Sequence, residues 1–139
     1  MSNGIQVIRV QTESGSTMMD ITGQVMGLVR DSGQVDGLCV LFMPHTTSAL
    51  TLNEHWDPDV RRDLLMKMDE LVAYDTRFRH CEGNSAAHIK ASLFDASLVL
   101  MVHQGELQLG QWQGIYLVDW DGPRLREVWV TLLDTVARR

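Results

Sequence analysis

Apolar and polar residues alternate in a way that predicts strands at both ends of the chain. Over residues 4–12, Ile5 and Val7 alternate with Gln6 and Arg9, which indicates a first strand. In the last third of the chain, apolar runs separated by turn residues predict four more strands, at 97–103, 106–109, 112–119 and 126–133. The Gln104-Gly105 pair between the first two of these predicts a hairpin turn.

The middle of the chain carries helical spacing instead. The helix over 58–73 is the clearest, because Asp57 is a favourable N-cap and apolar residues recur behind it every three or four positions. Two more helices are predicted, one that begins at Asp20 and a short one over 86–94 with Ser85 as its cap.

Two short strands complete the pattern, at 38–43, where Pro44 ends an apolar run, and at 48–53. Cys39 lies within the first run and is predicted to be a small buried core residue. Strands outnumber helices and the last four follow one another closely, which indicates an α+β fold with a mostly antiparallel sheet. A length of 139 residues suits a single domain over 1–139.

Composition then narrows the classes of partner. Twelve basic against eighteen acidic residues give a net charge of −6. Binding to a nucleic-acid backbone relies on clustered Lys and Arg, so we expect no nucleic-acid partner. No basic segment followed by a long apolar stretch begins the chain, and no apolar run approaches the roughly 20 residues of a membrane helix. We therefore expect a cytoplasmic protein with no membrane partner.

Polar residues concentrate in three stretches at the edges of apolar elements, namely 44–48, 53–55 and 80–88. Loops held by a rigid scaffold are where binding groups usually lie. His45 follows a predicted strand, where an imidazole could ligate a metal, carry a proton or simply bond to the backbone. His55 is expected to be an exposed loop residue.

The third stretch is the most unusual, since His80 and His88 flank a Gly83-Asn84-Ser85 segment that opens a predicted helix. Such a segment could present backbone N–H groups to an anion, or it could be an ordinary loop with a capping serine. Trp112 stands between two glycines, where it could stack on a planar ring or pack in the core. The sequence contains no GxxxxGK[ST], GxGxxG, GxSxG or CxxC motif, so the usual nucleotide, dinucleotide, serine-hydrolase and thioredoxin sites are not supported.

Four segments together resemble the YjbQ-like family, also known as UPF0047 and as secondary thiamine-phosphate synthase. They are HTTSALTLNE (45–54), DPDVRRDL (57–64), HCEGNSAAHIKASL (80–93) and GELQLGQWQGIYLVDWDGPRLREV (105–128). The resemblance implies an α+β sandwich of mostly antiparallel sheet with two or three helices, assembled as a homotrimer with sites at the subunit junctions. Ala86 departs from the pattern, because relatives often carry Asp there.

The resemblance also implies roles for particular residues. It places His45, His80 and His88 at three histidine positions that would be catalytic and would form a metal or anion site, with Glu54 as a further catalytic residue. It assigns substrate binding to Asn53, Glu82, Gly83, Asn84, Trp112 and Gln113. The implied cofactor is a divalent metal, either zinc or magnesium, and Lys90, Arg124 and Arg126 could contact phosphate if they converge.

The activity implied by the resemblance is a weak thiamine-phosphate synthase, a transferase that joins a pyrimidine pyrophosphate to a thiazole phosphate and releases pyrophosphate. Two alternatives stay open at this point. One is a metal-dependent enzyme that acts on another phosphorylated small molecule. The other is a trimer that binds a metal or ligand without catalysis.

Overall fold

The structure is a computed structural model that describes residues 4–135. These residues form eight strands and three helices. In chain order these are β1 (Gln6–Gln11), β2 (Gly15–Asp20), α1 (Thr22–Ser32), β3 (Gly37–Phe42), β4 (Ser48–Glu54), α2 (Pro58–Leu71), α3 (Ser85–Ser92), β5 (Ser97–His103), β6 (Glu106–Gln108), β7 (Gln113–Gly122) and β8 (Leu125–Asp134). The α+β class and the antiparallel pairing predicted from the sequence are confirmed.

The strands form two antiparallel sheets. One has five strands in the order β1-β8-β3-β5-β6, and the other has three in the order β2-β7-β4. Their facing sides meet in the main core, where Leu41 and Val128 of the larger sheet share a cluster with Leu50 and Leu117 of the smaller one. Helix α1 adds Val25 to this cluster, so the core lies between both sheets and α1.

The smaller sheet is covered on its second face as well. There Tyr116, Val118 and Trp120 of β7 form a separate cluster that includes Ala87 of α3 and Leu64 of α2. Because both faces of β7 are covered, every residue from 114 to 120 is buried. Buried strands of this kind appear in a sequence as nearly continuous apolar runs rather than as alternation.

The outer face of the five-stranded sheet has no such cover within residues 4–135. Its exposed side chains include Phe42, Val99, Met101 and Leu133. The strand register makes these neighbours, since Leu38 of β3 pairs with Met101 on one side and with Leu133 on the other. We call this surface, which also includes Val40 and Trp129, the apolar sheet face.

Most elements fall where the sequence predicts them, with three differences. Strand β2 has no counterpart among the predictions, because its sequence GSTMMD lacks a β-branched apolar run. The first helix begins at Thr22, because Asp20 ends β2 and its carboxylate accepts hydrogen bonds from Thr22. Ser85 is the first residue of α3 rather than its cap, which is Asn84. Cys39 is fully buried, as predicted, and Gln104 and Gly105 both have positive φ in the predicted hairpin turn.

Helices within the described range are too short or too polar to cross a bilayer.

Candidate functional site

Three histidines from separate parts of the chain line one cavity of about 420 Å³. We call it the histidine cavity, and it is lined by Pro44, His45, Thr46, Thr47, His80, Glu82, Asn84, His88, Asp121, Arg124 and Arg126. The residues come from the loop after β3, the loop before α3, α3 itself and the adjoining ends of β7 and β8 with the turn between them. Five of the predicted site residues therefore meet in one place.

His45 is held by a backbone contact at the end of β3. The N–H of Glu127 donates to His45 Nε2 at 2.8 Å, so a neutral ring carries its own proton on Nδ1. Burial, and then the nearby Arg126 guanidinium, lower the pKa of His45 below its ordinary value of 6.5. At neutral pH His45 is thus an uncharged imidazole with one N–H to donate.

His80 and His88 form a pair at the start of α3. Their ring centroids lie 5.4 Å apart with the planes nearly perpendicular, and His80 Nε2 is 3.9 Å from Glu82 Oε2. Gly83, between them in sequence, has a φ of +74°, a left-handed conformation that glycine adopts without strain. That turn brings the chain around from His80 to the first residue of α3.

The N-terminus of α3 opens at the same cavity. Its N-cap, Asn84, makes no side-chain hydrogen bond to the helix backbone, and Asn84 Nδ2 donates instead to Asp121 Oδ2 at 2.9 Å. Asn84 Oδ1 is buried and has no protein partner in the described part of the chain. The first N–H groups of a helix have no acceptor within it, so this end of α3 favours a negatively charged group.

Arg126 brings a positive charge to the cavity from a buried position. Its guanidinium donates to both carboxylate oxygens of Asp119, at 2.8 and 3.0 Å, and to Thr47 Oγ1 at 2.7 Å. Burial acts to raise the pKa of Asp119, but the hydrogen bonds from Arg126, Thr12 and the Asp121 N–H together hold it below its ordinary value. The Nη1 group of Arg126 has no protein acceptor among residues 4–135, which leaves it able to bind a ligand.

Arg124 supplies the second guanidinium, at the rim. It donates to Asp121 Oδ2 at 3.0 Å through Nη2, and its side chain remains half exposed. Asp121 therefore links Arg124 to Asn84 across the cavity wall. The groups that line the cavity therefore offer more N–H donors than free oxygen acceptors, which suits an anionic ligand.

A divalent metal fits the histidines poorly as they are arranged. No group of three His, Cys, Asp or Glu side chains within residues 4–135 is placed to hold one ion. A metal needs an unprotonated ring nitrogen, and the Glu127 N–H occupies the one that His45 has in its neutral form. The metal role of His45, His80 and His88 stays a prediction, and no chemical step below depends on it.

The other predicted site residues lie elsewhere. Glu54 and Trp112 line a second, open cavity of about 520 Å³ together with Trp56, Asp57 and Pro58, which we call the tryptophan cleft. Asn53 and Gln113 form hydrogen bonds with backbone groups beside the tryptophan cleft. Asn53 Oδ1 accepts from the Glu54 N–H, and Gln113 Oε1 accepts from the Gly110 N–H. One chain thus divides the predicted residues between two sites.

Sequence reasoning missed several contributors. Asp119 and Asp121 were not identified from the sequence. A usable signal was the presence of acidic residues in β7 and a basic residue in β8, because opposite charges that face inward on one hairpin indicate a buried ion pair. His55 is not a free loop residue, since its Nδ1 lies 3.0 Å from Asp20 Oδ2 without the angle of a hydrogen bond. Lys90 does not reach the histidine cavity, because it is buried against Asp69 and Trp120.

The sequence of the chain is similar to known proteins over nearly its whole length. The family model described as UPF0047 protein YjbQ-like matches residues 6–135. The chain belongs to the YjbQ-like family, UPF0047. The UPF0047 protein YugU of Bacillus subtilis is 38% identical over 130 residues, which cover 93% of this chain and 98% of that protein. A UPF0047 protein of Methanocaldococcus jannaschii is 38% identical over 125 residues, covering 90% and 91% respectively.

Solved structures of the family agree with the fold. A yjbq/upf0047 family protein from Clostridium acetobutylicum superposes with a TM-score of 0.89 at 44% identity, covering 92% of this chain and 99% of that one. A YbjQ-like protein from Sulfolobus solfataricus also gives a TM-score of 0.89, at 35% identity and with 94% and 96% coverage. The two-sheet architecture that carries the histidine cavity is therefore that of the YjbQ-like family.

Proposed function

We propose that this YjbQ-like protein is a cytoplasmic transferase that binds a small phosphorylated molecule in the histidine cavity. The observation that carries the proposal is the convergence of three imidazoles, two guanidiniums and the N-terminus of α3 on one cavity. Every one of these groups can donate a hydrogen bond to a phosphate oxygen. Thiamine phosphate, the product implied by the family resemblance, is the product to test first.

Within this proposal the charged groups divide by position. Arg126 is held rigidly by Asp119 and Thr47, so it would meet a phosphate without reorganising. Arg124, half exposed at the rim, would close over a second phosphate group. His45 is uncharged and has a fixed proton position, so it would donate one hydrogen bond without adding charge.

The proposed reaction needs stabilisation of a leaving group more than it needs a nucleophile from the protein. The C–O bond between the pyrimidine methylene carbon and the pyrophosphate breaks, and its electron pair leaves on the pyrophosphate oxygen. A C–N bond forms between that carbon and the thiazole ring nitrogen, whose lone pair supplies the electrons. Donors around the departing pyrophosphate lower the barrier because negative charge develops there.

Assembly into a homotrimer is part of the proposal. The apolar sheet face supports it, because Val99 and Met101 are each about two-thirds exposed in the single chain. Contiguous apolar surface of this kind commonly marks a protein interface.

The test is a coupled assay of pyrophosphate release with the pyrimidine pyrophosphate and the thiazole phosphate as substrates. We expect His88→Ala and Arg124→Ala each to reduce turnover, on the order of 10²-fold, by removing a donor from the developing charge. His103→Ala and Arg30→Ala are matched controls at exposed sites away from the cavity and should leave turnover unchanged.

Two further measurements separate the possible outcomes. Calorimetry with pyrophosphate asks whether the cavity binds the anion, and turnover with and without a chelator asks whether a divalent metal is required. Binding without synthase turnover would point to another phosphorylated substrate. Unchanged turnover in both cavity variants, or failure to bind pyrophosphate, would overturn the proposal.

A further inference from the structure

We propose that the tryptophan cleft is a second ligand site, selective for an organic cation such as an alkylated ammonium group. Its chemistry is opposite to that of the histidine cavity, and the inference does not rest on the proposed transferase function. It rests on two exposed indoles, two carboxylates and a rigid backbone frame around one open cavity.

The aromatic part consists of Trp56 and Trp112, which are 64% and 59% exposed although both line the same cleft. They come from two separate segments, one just before α2 and the other just before β7. The face of an indole ring attracts a positive charge within about 6 Å, and it does so more strongly than Tyr or Phe. Because both indoles line one cavity, a cationic group bound there has two aromatic side chains within its walls.

Hydrogen bonds to backbone groups fix the two segments relative to each other. Trp56 Nε1 donates to the Gln111 carbonyl oxygen at 3.0 Å, and the His55 N–H donates to the Trp112 carbonyl oxygen at 2.8 Å. Within the second segment, Gln113 Oε1 accepts from the Gly110 N–H at 2.8 Å. A ligand would therefore meet indoles whose backbone is already in place, which lowers the entropic cost of binding.

The charge of the cleft is negative. Glu54 Oε2 accepts from the Trp56 N–H at 3.0 Å, and Asp57 Oδ1 accepts from the Asp59 N–H at 2.9 Å. The second oxygen of each carboxylate has no protein partner in the described residues. The residues that line the cleft include no Lys or Arg, so a cation would find two carboxylates and two aromatic faces, whereas an anion would be repelled.

Choline and its uncharged isostere 3,3-dimethylbutan-1-ol are the probes, with binding measured by calorimetry and by tryptophan fluorescence. Because the two molecules share a shape, only charge distinguishes them. We expect choline to bind at least about tenfold more tightly than the alcohol. Trp112→Leu and Glu54→Gln should each weaken choline binding by about tenfold.

Matched controls are Met101→Leu, an exposed apolar residue of the apolar sheet face, and Glu13→Gln, an exposed carboxylate of the β1–β2 turn. Neither should change choline binding. Circular dichroism of each variant separates lost binding from lost folding, and Glu54→Gln keeps the shape of the side chain. Equal affinity for choline and the alcohol, or no choline binding by the native protein, would overturn the proposal. Sedimentation of the native protein and Trp112→Leu would then ask whether a second copy of the chain occupies the cleft instead.

Discussion

The histidine cavity and the tryptophan cleft are built in contrasting ways within the same fold. The cavity depends on groups distant in sequence, such as the His45 ring and the Glu127 backbone N–H, and on Arg126, which is only 4% exposed. The cleft depends on two short segments joined by hydrogen bonds to backbone carbonyl groups, and its indoles are exposed. The comparison teaches that donors for an anion require charge pairing deep in the fold, whereas a cation site can be assembled at the surface from aromatic faces and carboxylates.

The largest effect should come from breaking the buried support of the cavity. Asp119→Asn leaves the Arg126 guanidinium buried without its counter-charge, which we expect to lower the free energy of unfolding by about 3–5 kcal/mol. Asp121→Asn is the control, because its partner Arg124 is half exposed and such pairs contribute at most about 1 kcal/mol. Urea unfolding measures both variants. If both variants lost the same free energy of unfolding, the buried Asp119–Arg126 pair would contribute no more to stability than the half-exposed Asp121–Arg124 pair.

A smaller loss of stability is expected from a substitution next to the tryptophan cleft. In Gly114→Ala the new Cβ would lie 2.5 Å from His55 Nδ1 and 3.1 Å from His55 Cβ, so the ring beside Trp56 must shift. We expect a loss of about 1–3 kcal/mol in the free energy of unfolding and a change in tryptophan fluorescence.

Gly27→Ala in α1 is the matched control for that clash. A Cβ there meets nothing within 4 Å, and alanine favours a helix over glycine by up to about 1 kcal/mol. The control should therefore raise the melting temperature while Gly114→Ala lowers it. If Gly114→Ala were tolerated as well as Gly27→Ala, the position of His55 would not be fixed by close packing against β7.

The same contrast explains what the sequence could predict. Strands such as β5, where buried and exposed residues alternate without exception, follow directly from local pattern. The family motifs drew attention to His45, His80 and His88, and their common cavity is visible only in the structure because it depends on long-range pairing of β7 with β4.

Other features lay beyond local pattern for physical reasons. Strand β2 pairs with β7 and packs Met18 and Met19 against clusters on opposite faces of the smaller sheet. Its own composition does not predict a strand, so only this pairing explains it. Glu54 shares a motif with His45 but not its cavity, since adjacency in a motif does not specify which face of a sheet a side chain occupies. The sequence offers Arg126 only as one of three cations that could contact phosphate, and its pairing with Asp119, which makes it a buried donor, is visible only in the structure.

The smallest effect expected is a pH dependence that arises from the cavity alone. Burial and the neighbouring Arg126 keep the pKa of His45 below 6.5, so the unfolded chain takes up this proton at a higher pH than the folded chain. The free energy of unfolding should therefore fall as the pH drops from 7 through 6.5 toward the folded pKa. His45→Gln keeps an acceptor for the Glu127 N–H but does not titrate, so it should lose less stability over that interval. Above pH 7.5 the two profiles should run parallel, because His45 is neutral in both states, and parallel profiles below pH 6.5 would show that its burial carries no penalty for charge.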